Sequence, residues 1–190
     1  MDRLCAGNSV LLVVDMQTRL LPAIHDHAAL LARASALVQA ALLLDVPVLA
    51  TEHCADRIGP TEPGLAQFVQ RTIHKTHFDA AREPGMAEEL PSGRPNVLLI
   101  GTEAHVCVLQ TAMGLAAAGR HAIMVADCVG SRTPLDHRLA LGRAAQRGIE
   151  VASMEMAMFE WLASADHPRF REVLALVKGA PPPAQQGELI

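Results

Sequence analysis

The chain has no tyrosine, one tryptophan and four phenylalanines among its 190 residues. Its core must therefore come from Leu, Val, Ala, Ile and Met. No stretch holds eighteen apolar residues in a row, so nothing in it reads as a membrane span. The stretch MDRLCAGNSVLLVVD does not read as a signal peptide, because its short apolar run meets Asp15 at once. Positive charge is not in excess: 16 Lys and Arg against 20 Asp and Glu give a formal net charge of −4. That balance gives no electrostatic reason to expect nucleic acid or an anionic membrane as partner. CxxC pairs and HExxH are absent, so no zinc motif is present. The turn after the first apolar run, DMQTRLLP, has no glycine. A dinucleotide-binding turn needs glycines there, which argues against a nucleotide-dependent oxidoreductase. Four scattered cysteines, Cys5, Cys54, Cys107 and Cys128, suit a reducing compartment, and a cytoplasmic location is expected.

What remains is an alternation. Apolar runs of strand length fall at 9–15, 46–51, 71–76, 96–102, 121–128 and 149–154. Between and after them lie helical patterns at 28–45, 106–119, 134–148, 155–163 and 169–179. Such alternation predicts βαβ units, a mostly parallel sheet and helices on both faces. The fold class expected is α/β: a single-domain, three-layer, Rossmann-like sandwich over residues 1–179. Residues 180–190, APPPAQQGELI, form a proline-rich tail expected to be extended and able to lie on a neighbouring subunit.

In parallel sheets ligands bind beyond the carboxyl ends of the strands. Asp15 ends the first run, Lys75 the third, and Cys107 follows the fourth, where a helix begins. A carboxylate can take a thiol proton, an ammonium favours a thiolate, and a thiolate can attack a carbonyl carbon. Each residue also has a plainer reading: a buried apolar cysteine, a capping aspartate, a solvated lysine. Nine histidines invite a metal site, with His74 and His77 flanking Lys75. In a regular strand, however, His74 and Lys75 point to opposite faces. No metal and no cofactor is expected.

Three stretches in order, LLVVDMQ (11–17), HKTHFDA (74–80) and GTEAHVCVLQTA (101–112), resemble the motifs of the isochorismatase-like cysteine hydrolase superfamily. ADCVGSR (126–132) and ADHPRFREV (165–173) are similar to the branch of the isochorismatase-domain-containing proteins. The resemblance spans about residues 7 to 178. It implies Asp15 as general base, Lys75 as the group that lowers the thiol pKa, and Cys107 as nucleophile. It also implies a cis peptide joining Thr102 to Glu103, with the Glu103 and Cys107 amides forming an oxyanion hole. The nicotinamidase branch carries an Asp-x-His metal motif after its second strand. Here that region reads Thr51-Glu52-His53-Cys54, without the motif.

Around the triad, Gln17, Phe78 and His105 are candidate substrate-binding residues. Arg132 is a candidate for an anionic substrate, a partner subunit or a surface ion pair. Cys128 reads as packing. The expected activity is hydrolysis of a small amide or ureido substrate through an acyl-enzyme. Vinyl-ether hydrolysis and a catalytically silent binding module are the alternatives. Relatives commonly assemble, so a homo-oligomer is expected.

Overall fold

The computed structural model describes residues 4–182. Six strands form one sheet: β1 (Ser9–Val14), β2 (Val48–His53), β3 (Arg71–Lys75), β4 (Asn96–Thr102), β5 (His121–Gly130) and β6 (Glu150–Ala152). Their order is β3-β2-β1-β4-β5-β6. Every neighbouring pair is parallel. Three-layer α/β architecture is thus what the alternation predicts. The order reverses between β1 and β4, which opens the crevice where ligands bind in such sheets.

The helices are α1 (His27–Leu43), α2 (Ala55–Ile58), α3 (Pro63–Ala66), α4 (Met86–Glu89), α5 (Leu109–Ala117), α6 (Pro134–Gln146), α7 (Met154–Leu162) and α8 (Phe170–Gly179). The period of two along a strand sorts the core into two layers. Leu11, Val13, Leu98, Ile100, Ile123 and Val125 face α1, α7 and α8. Val10, Leu12, Val14, Val97, Leu99 and Met124 face the layer of α5 and α6. Both sets are fully buried, and each such side chain contributes about 1.5–3 kcal/mol of apolar transfer.

Helix starts follow local chemistry. Thr133 and Ser153 accept hydrogen bonds from Asp136 N–H and Met156 N–H, capping α6 and α7. β1 and β4 pass so closely that a Cβ on Gly101 would collide with the Val14 carbonyl. The register between β4 and β5 breaks: Leu99 faces Met124, but Gly101 faces Val129, so residues 125–128 bulge from β5. The expectation for the 180–190 tail falls mostly outside the described residues. At its start, the Pro182 carbonyl accepts from Arg33 at 3.4 Å.

Candidate active site

Asp15 is the first residue beyond β1 and Lys75 the last of β3. Their side chains meet across the carboxyl ends of the strands, Lys75 Nζ lying 2.7 Å from Asp15 Oδ2, both at 0% exposure. Burial of an ammonium is tolerated only with partners. Lys75 has three: Asp15, the His77 carbonyl at 3.2 Å and the Phe78 carbonyl at 3.4 Å. Asp15 has its own brace, accepting Thr51 Oγ1–H on Oδ1 at 2.7 Å. Its backbone is left-handed at φ 52°, and its carbonyl accepts from Thr102 Oγ1. The loop that holds Lys75 is pinned in turn by Glu83, which accepts from the N–H groups of Thr76 and His77 and pairs with the His77 ring. These bonds, the His77 N–H first among them, pull the Glu83 carboxyl down to about 2.

Cys107 follows β4 in a single π-helical turn, Ala104–Val108, which leads into α5. Such turns are rare and concentrate at functional positions. The thiol is buried within the α5–α6 layer at 3% exposure. Burial raises its pKa, the charge of Asp15 raises it further, and Lys75 pulls against them without prevailing. The resemblance implied that Lys75 lowers the thiol pKa; Lys75 does act in that direction, against the larger opposing effect of burial. The implied cis peptide is not observed. The described backbone has none, and the chain reverses after Thr102 through Glu103, left-handed at φ 52°.

The neighbours sort differently. Gln17, expected to touch substrate, is fully buried. Its amide donates to the His53 and Gly59 carbonyls and accepts the His53 N–H at 2.8 Å. It braces the floor of the site instead, tying β1 to the loop after β2. Phe78 is half exposed and stacks on His53 with ring centroids 5.2 Å apart. Burial, and next the charge of Lys75, lower the His53 pKa. His105 Nδ1 lies 3.0 Å from Ser131 Oγ. Arg132 pairs with Glu103, Nε to Oε1 at 2.9 Å. His74 faces away from Lys75 toward Glu52, at 3.5 Å and largely exposed, as strand alternation requires. Among the described residues, no three His, Cys, Asp or Glu side chains cluster in a way that would hold a metal ion. Thr51 and Glu83 were missed in the sequence, where nothing distinguishes them from ordinary loop and strand-end residues.

This arrangement can be set against known proteins. The Isochorismatase domain profile matches residues 9–156, well over half of the chain. The chain belongs to the isochorismatase family. The human isochorismatase domain-containing protein 2 is 34% identical over 185 residues, covering 96% of this chain and 89% of that protein. A solved structure titled MAR1 ribonuclease from Caenorhabditis elegans superposes with a TM-score of 0.91 at 30% identity, covering both chains completely. The Escherichia coli YcaC gene product, described as an octameric hydrolase of unknown specificity, shares the fold at TM-score 0.87 and 21% identity. It covers 95% of this chain and 91% of that one. No helix among the described residues is long and apolar enough to cross a membrane.

Proposed function

We propose that this isochorismatase-family protein hydrolyses the C–N bond of a small amide- or ureido-type substrate through a covalent acyl-enzyme on Cys107. One observation carries the reading. A wholly buried carboxylate–ammonium pair, 2.7 Å apart, stands within electrostatic reach of a thiol at a strand-to-helix turn. A buried ion pair is a poor source of stability, so its placement beside a nucleophile is better explained by chemistry.

In the first half-reaction Cys107 Sγ bonds to the substrate carbonyl carbon while Asp15 takes the thiol proton. The tetrahedral oxyanion is held by the Glu103 and Cys107 amides. It collapses, the C–N bond breaks, and Asp15 passes its proton to the leaving nitrogen. In the second half water attacks the thioester, Asp15 takes a water proton, and the thiol leaves and regains it. Lys75 keeps Asp15 in place and offsets the negative charge shared by carboxylate and sulfur. The scheme needs no preformed thiolate, since the proton moves only as the attack occurs. A vinyl ether fits less well, because its hydrolysis begins with protonation rather than with attack on a carbonyl.

Phe78 and His53 form the wall against which a small substrate would lie. RNA, suggested by the name of the nematode relative, suits the charge poorly, since the net charge is −4. We place the protein in a homo-oligomer in the cytoplasm. Leu135 and Leu139, 55% and 60% exposed on the outer face of α6, support assembly. The test is ammonia release from a panel of small primary amides and ureido compounds. Turnover by the parent that disappears in Cys107→Ala supports the reading. Equal turnover by both proteins sinks it.

A further inference from the structure

Two residues leading up to the nucleophile, Glu103 and His105, are fastened to one place. Glu103 accepts the Arg132 guanidinium at 2.9 Å, and two residues on, His105 meets Ser131 Oγ at 3.0 Å. Ser131 and Arg132 directly follow β5, whose Gly130 pairs with Thr102 at the end of β4. Their own segment is firm. Ser131 is buried, its carbonyl accepts His25 N–H at 3.0 Å, and Thr133 caps α6 immediately afterwards. On its other side the turn is held by Thr102, which donates to the Asp15 carbonyl.

Glu103 needs such fastening. It is not glycine, yet it holds φ 52°, a conformation that persists only where the surroundings over-determine it. The Arg132 side chain is 59% exposed. An ion pair so wetted contributes little to stability. What it can fix is direction, because the carboxylate it holds belongs to the residue whose amide the acyl-enzyme reading assigns to the oxyanion hole.

We infer that Arg132 is a positioning residue for the oxyanion hole, aiming the Glu103 amide through the Arg132–Glu103 pair, with Ser131–His105 as the second tie. The inference rests on the acyl-enzyme reading above and deepens it. Arg132 touches no reacting atom. It also differs from a free anion-binding arginine, since its Nε is already committed to the protein's own carboxylate.

Two small reagents separate aim from nucleophilicity. With acrylamide, Sγ bonds to the terminal alkene carbon and the π electrons move onto the amide oxygen as an enolate. The thiol proton, taken by Asp15, then goes to the α-carbon. With iodoacetamide, Sγ displaces iodide, the proton goes to Asp15 and then to water, and no charge grows on the carbonyl oxygen. An oxyanion hole accelerates the first reaction far more than the second.

The experiment measures both rates at Cys107 by peptide mass spectrometry, with thermal melts, in the full-length protein. Expected for Arg132→Ala is an acrylamide rate lower by about tenfold or more, with the iodoacetamide rate and the melting temperature close to the parent's. Glu103→Gln should match it, the double variant should be no slower than either single, and Arg132→Lys should recover part of the rate. An acrylamide rate unchanged in Arg132→Ala overturns the inference. So does an equal fall with both reagents, which would make Arg132 a determinant of thiol reactivity rather than of aim. A parent whose Cys107 reacts with neither reagent overturns the acyl-enzyme reading, and this inference with it.

Discussion

Two buried cysteines, one on each side of the sheet, have nearly the same company and different fates. Cys107 lies in the α5–α6 layer with Asp15 and Lys75; Cys128 lies in the α1–α7–α8 layer with Asp127 and Arg33. Burial raises both thiol pKa values, the carboxylate raises each further, and the cation opposes. The difference is what the carboxylate and cation are bonded to. Asp127 spends its carboxylate on the Met154 N–H at the start of α7, and Arg33 donates to the Asp127 and Pro182 carbonyls. They are structural fasteners at the β5 bulge. Asp15 and Lys75 are bonded to each other, at the strand ends where the sheet order reverses. A thiol, a carboxylate and a cation therefore make a candidate site only where the topology opens a crevice for substrate.

The sharpest way to break this comparison is to delete each sulfur. Cys107→Ala is expected to lose hydrolysis by about 10³-fold or more, at a stability cost no larger than that of Cys128→Ala. Cys128→Ala should keep its activity and lose about 1 kcal/mol from the cavity left behind. Ammonia release and thermal unfolding measure the two effects; an active Cys107→Ala would erase the distinction.

The cations come next. Lys75→Met strands the buried Asp15 carboxylate and should cost about 3–5 kcal/mol in denaturant unfolding. Arg33→Met strands only carbonyl acceptors and should cost about 1–3 kcal/mol. The pair Asp15→Asn with Lys75→Met should regain most of the stability lost by the Lys75 single variant and none of the activity. Equal losses for the two single variants would show that the carboxylate does not set the difference.

The smallest effect is a pH slope shared by both thiols. An unfolded cysteine loses its proton near pH 8.5, about the ordinary thiol value, whereas these two keep theirs in the folded chain because their pKa values are raised. Above that pH the native state binds more protons than the unfolded state, so stability falls as pH rises. Below it neither thiol contributes a slope. Urea unfolding from pH 7 to 10 should show the decline, and each alanine variant should remove part of it. A parent curve flat to pH 10 would contradict the raised values.

Much of the frame was legible before any coordinates. Strands read from apolar runs, such as NVLLIGT at β4, stand within two residues of their observed limits. Asp15, Lys75 and the turn of Cys107 were found because strand ends are where a parallel sheet gathers polar groups. What the sequence hid depends on distances between remote segments. Burial of the Cys107 thiol outweighs Lys75, and spacing alone gives no measure of desolvation. Gln17 looked free to meet substrate because its carbonyl partners, His53 and Gly59, lie more than thirty residues away. The left-handed Glu103 and the π-helical turn replace the implied cis peptide, and nothing in a glutamate or in AHVCV signals either.

The central claim is that Cys107 carries the acyl group. Its most direct test is acid quench during turnover of a hydrolysed amide or ureido substrate, followed by peptide mass spectrometry. The account predicts a mass increase equal to the substrate's acyl group on the peptide containing Cys107, gone once substrate is exhausted and never seen on Cys128. Turnover with no such adduct, undiminished in Cys107→Ala, would contradict it.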